Sequence, residues 1–416
     1  MNQIEIHDGA LVFVGSGDPQ FDTFPQIQTG GSGPVWRLAR SFTARGQDVV
    51  IYAGTYGPKD VRMVDGIKII RIPVPPISTF TKKYLPFIDY LSNDLLSQNP
   101  GKAIERLFAR LVFSYRVSKD INGHAVEGLF LRSRFTGLFP SRLDVPTVFT
   151  IKSPDACDFF YKKSVSLHPA NRLLFKYKQL IEEFVVSQSD RIIVMNDFMA
   201  DYFHQKGYKN VEVVMLGVDD EDIISETDAA REKRILYVGR FDGNKRPEWV
   251  IRAVDNPRFE DYELRYIGSG PREKTLRKEV REHGLLDRVT FTGRIPRREV
   301  LEEMQKAEVL VLPSEFENCP NVVIEAMASG CPVVASDTHG SKQLINDMET
   351  GLLFDKNGEN SLKEKLSTIV SDQDLASDIR NNALQYIRES HRAEHIANQY
   401  LSTLVRAKNS RSGSIQ

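Results

Sequence analysis

Cysteine is scarce and scattered in this chain. The 416 residues hold three, Cys157, Cys319 and Cys331, with no CxxC spacing. An odd, dispersed set fits neither a disulfide framework nor a zinc ribbon, and a reducing cytoplasm is the expected setting. Excess charge of one sign is also missing. Lys and Arg number 55 against 56 Asp and Glu, a net charge of -1, which argues against a dedicated nucleic-acid binder. No apolar run approaches the roughly 18 residues of a membrane span. The opening MNQIEIHDGALVFVGSG lacks a basic stretch followed by an apolar one, so no signal peptide is expected. Contact with a membrane would be peripheral, at the inner face of the cell membrane. Gly15-Ser16-Gly17 and Gly268-Ser269-Gly270 stop short of a complete GxGxxG and lack a ribose-binding acid at the expected distance, which argues against a dehydrogenase. Eight histidines show no metal-ligand spacing. Asp220-Glu221-Asp222 spells an Asp-x-Asp metal motif, but within a polar acidic stretch it reads as solvated charge. No metal and no cofactor are expected.

What is present is an α/β rhythm, twice. Ala10 to Val14 is a short apolar run ending in glycine. A glycine cluster at Gly30, Gly31 and Gly33 follows, then PVWRLARSFTARG with helical spacing, then the strand DVVIYAG. Strand, glycine loop, helix and strand make a βαβ unit of the doubly wound type. TVFTI (147–151), RIIVM (191–195) and VEVVML (211–216) continue the sheet. The polar, acidic stretch 217–233 reads as a linker. Strands then recur at RILYVG, ELRYIG, VTFTG, EVLVLP and PVVAS, alternating with helices. The expected plan is a first Rossmann-like domain over 1–216, a second over 234–385, a closing helix over 386–405 that returns toward the first domain, and a disordered tail over 406–416. HPANRLLFKYKQLIEEFVV is a core-packed helix with solvated lysines, or a basic amphipathic face for anionic lipid.

Two loops in the second half carry chemistry. In PSEFENCPNVVIEAMASGCPVVAS (313–336) a strand ends at Pro313 and a helix begins near Pro320, a residue suited to the first helical position. The amides of Asn321, Val322 and Val323 would point out of that helix start and attract phosphate. Glu317 and Glu325 flank it. Two carboxylates on either side of an anion site can bind hydroxyls of a sugar and of a ribose. The alternative is that Glu317 caps the helix and Glu325 makes a surface ion pair. In VGRFDGNKRP (238–247), Arg240 and Lys245 follow a strand, where open α/β sheets bind ligands. Two cations there can neutralise a diphosphate; the alternative is a solvated basic loop.

These residues resemble the signature of glycosyltransferase family 4, on the GT-B fold. The likeness is strongest over 234–354, through YIGSGP, VTFTGRI, EAMASG and TGLLF, and weaker over GGSGPVWRLARSFTARGQDVVIYAG. The resemblance implies an α/β protein with two Rossmann-like doubly wound parallel-sheet domains facing each other across a cleft. It implies a retaining hexosyltransferase that is metal-independent. The donor would be a nucleotide-diphosphate sugar, UDP- or GDP-linked, and the acceptor a glycan or lipid-linked hydroxyl, in cell-surface polysaccharide or glycoconjugate biosynthesis. Arg240 and Lys245 would grip the diphosphate and Glu317 the donor sugar. The amides of Asn318, Cys319, Asn321 and Val322 would hold sugar and phosphate, and Glu325 the ribose. Arg294 and Ile295 would lie along the base, and Gly31 and Ser32 would close on the phosphates. This sequence departs from the family in reading Asn318-Cys319-Pro320 after the first glutamate, where many members have Gly-Phe-Gly. Lys152 stands where a histidine is usual, which leaves Lys152 and His124 as candidates at the reacting centre. A nucleotide-sugar epimerase, a sugar phosphorylase and a non-catalytic partner of a transferase are the rival readings.

Overall fold

The structure, a computed structural model, describes residues 9–15, 33–55, 57–74, 100–151, 169–225 and 231–412. The chain divides into two compact units. The first is Met1–Val194, Met199–Val214 and Ala397–Gln416, and the second is Met195–Phe198 and Met215–Ile396.

The first unit is built on an eight-stranded sheet in the order β3-β4-β2-β1-β5-β6-β7-β8. Its strands are β1 (Leu11–Val14), β2 (Val49–Thr55), β3 (Asp60–Val64), β4 (Ile67–Pro73), β5 (Gly128–Leu131), β6 (Thr147–Ile151), β7 (Arg191–Val194) and β8 (Val211–Val213). All neighbours run parallel except β3 and β4. The central strands LVFV, VVIYAGT and TVFTI are buried at every position, as strands covered on both faces must be. At the edge, β3 is largely exposed. It pairs with β4 through Asp65-Gly66, both at positive φ (51° and 76°), the dipeptide that a tight hairpin favours. VEVVML supplies a strand only over Val211–Val213.

The final helix, Ala393–Ser412, corrects the expectation of a disordered tail over residues 406–412; residues 413–416 lie outside the described residues. From Ala397 onward it belongs to the first unit. Tyr400 and Leu404 are buried there, and Gly128 leaves the room that Leu404 fills. Thr403 Oγ1 donates to Glu212 at 2.6 Å and Arg411 Nε to Asp190 at 2.8 Å. These contacts extend the helix through the polar sequence that composition alone marks as loose. The preceding helix runs over Gln373–Ser390, so the expected boundary at 385/386 falls inside it.

The second unit has a six-stranded parallel sheet in the order β11-β10-β9-β12-β13-β14. The strands are β9 (Glu232–Val238), β10 (Glu263–Ile267), β11 (Val289–Gly293), β12 (Ala307–Leu312), β13 (Val333–Ser336) and β14 (Leu352–Phe354). Its aromatic core includes Tyr237, Phe241, Tyr266 and Phe291, with Tyr266 and Phe291 stacked at 5.0 Å. The described part of the expected linker is held in place. Val218 bridges Arg392, Asp222 pairs with Arg297 at 2.8 Å, and Ile224 N donates to Ala328 O at 3.0 Å.

His391 is fully buried beside this segment, and its Nδ1 meets Leu216 O at 2.9 Å. Its Nε2 has no partner, so protonation would bury a charge without compensation. Burial holds the imidazole pKa below its ordinary 6.5. Below about pH 6.5 the unfolded chain therefore binds a proton that the folded chain refuses. This contribution is complete above that pH and is lost as pH falls toward the folded pKa. The melting temperature of His391→Gln should decline less than that of the parent between about pH 7.5 and about pH 5.5; parallel declines would contradict the assignment.

Candidate active site

The sheet order of the second unit makes the site. The chain starts at β9, goes outward to β10 and β11, then returns to lay β12 on the other flank of β9. The loops leaving the C-terminal ends of β9 and β12 thus diverge from neighbouring strands, the switch point at which open α/β sheets bind ligands. Arg240 and Lys245 lie in the first loop and Glu315 and Glu317 in the second.

The loop after β9 is braced from below. The buried hydroxyls of Tyr237 and Tyr266 donate to the carbonyls of Arg240 and Pro247, at 2.8 and 2.7 Å. Burial pushes both phenol pKa values well above the ordinary range, so both stay protonated donors. Asp242 Oδ1 accepts from the amides of Asn244 and Lys245, each at 3.1 Å, and this Asx turn aims Lys245 inward. Arg246 adopts a positive φ of 43° and lays its guanidinium 4.7 Å from the Trp249 ring. Gly268, at φ +139°, closes the packing: a Cβ there would lie 1.9 Å from Gly239 O.

The two loops are joined at several points. Lys245 Nζ pairs with Glu317 Oε1. The same carboxyl oxygen accepts from Ser314 Oγ at 2.6 Å. Glu315 N donates to Asn244 O at 2.7 Å, Asn244 Nδ2 to Phe316 O at 3.1 Å, and Arg246 lies 3.3 Å from Glu315. Gly340 N donates to Glu317 O at 2.9 Å, and a Cβ on Gly340 would come within 2.5 Å of the Asn318 carbonyl. Asn196, which packs with this unit, donates to both Asn318 O and Oδ1 at 2.7 Å. A short loop is thus tied down at several points.

The helix that follows is Asn321–Ala328, with Pro320 at its N-cap and no side-chain cap. Pro320 therefore precedes the first helical residue instead of occupying it. Glu317 does not cap this helix; its carboxylate turns to Lys245. Val323 N donates to Pro320 O at 3.0 Å, which takes that amide out of the set expected to face a ligand. The amides of Asn321 and Val322 lie at the helix start. Glu325 is in an ion pair with Arg297 Nε at 3.0 Å, a mostly shielded pair where the alternative reading expected a surface one. Arg297 also holds Asp222, so the Asp-x-Asp stretch is engaged by arginines at both ends, Asp220 by Arg392.

Arg240 is largely exposed and sits 3.3 Å from Asp242. Arg294, exposed, donates from Nε to Ser269 Oγ at 3.0 Å, and Ile295 beside it is half-buried. The structure thus gathers Arg240, Lys245, Glu317, Asn318, Cys319, Asn321, Val322 and Glu325 around the β9 and β12 loops, with Arg294 and Ile295 beyond β11. His124 belongs to the first unit. That residue precedes β5 and lies with Ala125, whose carbonyl accepts from Gly9 N ahead of β1. This is the sheet edge opposite the strand C-termini, because the βαβ winding puts the entrance to every parallel strand there. Gly31, Ser32 and Lys152 lie outside the described residues. Sequence reasoning missed Asn196, Ser314, Gly340 and Arg297. Only Gly340, in Thr-His-Gly-Ser after a strand, carried a local signal, a glycine where backbone approaches backbone.

Two parallel-sheet units of this kind are those of the GT-B fold. The model of the Glycosyl transferases group 1 family matches residues 219–386, and that of the Glycosyl transferase 4-like domain matches residues 29–219. The chain belongs to the group 1 glycosyltransferases. It is 26% identical over 285 residues to an uncharacterized glycosyltransferase of Methanocaldococcus jannaschii, covering 67% of this chain and 76% of the relative. It is 30% identical over 212 residues to a Campylobacter jejuni α-1,4-N-acetyl-D-galactosaminyltransferase named for a GalNAc-containing diphospho-undecaprenol substrate, covering 50% of this chain and 58% of the relative. In fold it is similar to sucrose-phosphate synthase from Thermosynechococcus elongatus, with a TM-score of 0.76 and 21% identity over 97% of this chain and 100% of that one.

The Lys245–Glu317 pair is three-quarters or more shielded on both sides. Lys245→Met should therefore leave a mostly buried carboxylate without its cation and destabilise the ligand-free protein by about 1–3 kcal/mol. Adding Glu317→Gln should recover much of that loss. Urea unfolding of both variants checks it, and a double variant no more stable than Lys245→Met would refute the coupling.

Proposed function

We propose that the protein is a retaining glycosyltransferase that moves a hexose from a nucleotide-diphosphate sugar, UDP- or GDP-linked, to a hydroxyl of a glycan or lipid-linked acceptor. The observation that carries this reading is the convergence of Lys245, Glu317 and an uncapped helix start at the switch point between β9 and β12. A diphosphate entering there meets Lys245, the exposed Arg240, and the first amides of helix Asn321–Ala328, which favour negative charge. Lys245 then exchanges a carboxylate for a phosphate. Glu317 is released to accept from sugar hydroxyls, with the amides of Asn318 and Cys319 alongside.

In this reading Glu325 takes the ribose hydroxyls, oriented by Arg297. Arg294 and Ile295 flank the base. Gly31 and Ser32 close on the phosphates, and Lys152 replaces the usual histidine near the reacting centre. The acceptor hydroxyl attacks the anomeric carbon on the face that the diphosphate leaves. A departing phosphate oxygen takes the hydroxyl proton, and Arg240, Lys245 and the helix amides stabilise the leaving charge. No metal ion is assigned a part. The name of the Campylobacter jejuni relative supports a lipid-linked glycan as acceptor. The helix Pro169–Gln188 supports peripheral contact with a membrane, because it exposes Tyr177, Leu180 and Phe184 beside Lys176 and Lys178. Such a face suits anionic lipid.

Incubation with sugar nucleotides tests the reading. Transfer with retained anomeric configuration supports it, whereas donor isomerisation, phosphorolysis or binding without turnover replaces it. A thermal-shift panel of UDP, GDP and ADP should single out the donor base. Arg240→Ala and Lys245→Ala should each lower turnover by about 10²-fold or more, and near-normal turnover in both would remove their role. Glu317→Ala should reduce transfer more than nucleotide binding; equal losses would count against a sugar contact.

A further inference from the structure

The second acid of the Asp-x-Asp stretch is shielded, where the sequence suggests solvated charge. Asp220–Asp222 forms a single 3₁₀ turn in the described part of the linker. Asp222 N donates to Asp219 O at 3.0 Å. Two residues on, Ile224 N donates to Ala328 O, at the end of the helix that carries Glu325. The Asp222 side chain thereby meets Arg297, the first residue of helix Arg297–Lys306. Arg297 Nη1 lies 2.8 Å from Asp222 Oδ2, and Arg297 Nε donates to Glu325 Oε1 at 3.0 Å. Two carboxylates thus share one guanidinium.

The three side chains are mostly shielded, at 13% exposure for each acid and 18% for the arginine. Their hydrogen bonding is incomplete. Arg297 Nη2 is buried and has no hydrogen-bond partner among the described residues. Glu325 accepts there through Oε1 alone, which leaves Oε2 open. Nε and Nη2 form one edge of a guanidinium, an edge that a carboxylate can take with both oxygens. Glu325 takes it with one. The acid that draws the guanidinium from its other end is Asp222. Without that acid, a small rotation would let Glu325 close on Nε and Nη2 together, and the arginine would engage both of its oxygens.

We propose that Asp222 is a positioning residue for the nucleotide: it holds Arg297 so that Glu325 is engaged through one oxygen and offers the other to the ribose hydroxyls. That Glu325 faces a ribose rests on the transferase reading above; the pull of Asp222 on Arg297 rests on the geometry of the second unit alone. Ribose recognition then depends on a linker residue far in sequence from the helix it serves.

Calorimetry on the full chain tests this with UDP, GDP and their 2′-deoxy analogues. The proteins compared are the parent, Asp222→Asn, and Asp222→Asn combined with Arg297→Gln. The parent should prefer the nucleotide it binds over the 2′-deoxy form by about tenfold or more, the effect of one hydroxyl donating to a carboxylate. Asp222→Asn should lose most of that preference, through weaker binding of the ribonucleotide, with the 2′-deoxy form affected less. The double variant should regain most of it, because no guanidinium remains to close on Glu325. A merely structural aspartate gives other results: equal losses for both nucleotides, a double variant weaker than the single one, or a single variant that does not fold. Each of these overturns the proposal, as does an undiminished preference in Asp222→Asn. The parent alone tests the reading beneath it. Indifference to the 2′-hydroxyl would defeat the ribose assignment of Glu325, and failure to bind either diphosphate would defeat the donor reading; the proposal falls with them in both cases.

Discussion

The second unit depends on one juxtaposition, that of β9 and β12 as neighbours with diverging exits. It forces a cation-bearing loop and an acidic loop into contact, and Lys245 and Glu317 neutralise each other there. Neither group could sit so shielded alone, since a mostly buried charge without a partner is costly. The surrounding hydrogen bonds, from Ser314, Asn244, Gly340 and Asn196, fix the loops so that the pair forms at a defined place. Two buried tyrosines fix the floor. The same groups that stabilise the empty site are those a diphosphate and a sugar would separate and engage. On the proposed reading the site would hold its binding groups as an ion pair, and ligand binding would be an exchange of partners with little new ordering.

Much of this was legible from sequence. TVFTI marks its strand to the residue, because a fully buried parallel strand is a short apolar run between polar breaks; VTFTG does so as well, as a partly buried edge strand rich in β-branched and aromatic residues. Pro313 to Ser336 gave strand, loop and helix with the acidic residues in place. Less was legible where structure comes from partners distant in sequence. The β3–β4 hairpin was passed over although Asp65-Gly66 signals it, since exposed DVRMV has little apolar content. The end of the chain reads as loose, yet Tyr400, Leu404 and Arg411 dock it as helix. The partners of the two carboxylates, Lys245 for Glu317 and Arg297 for Glu325, come from other loops and are not written in the local pattern. Asn196 lies 122 positions from Asn318, a separation that no local pattern announces. His124 looked eligible by residue type, but strand direction places it at the wrong edge.

The most direct measurement is calorimetric. The affinity of the preferred nucleoside diphosphate should be compared with that of its monophosphate, in the parent protein and in Lys245→Met. If Lys245 and its neighbours grip a pyrophosphate, the parent should favour the diphosphate by about tenfold or more, and the variant should lose most of that preference. An undiminished preference in the variant would contradict the account.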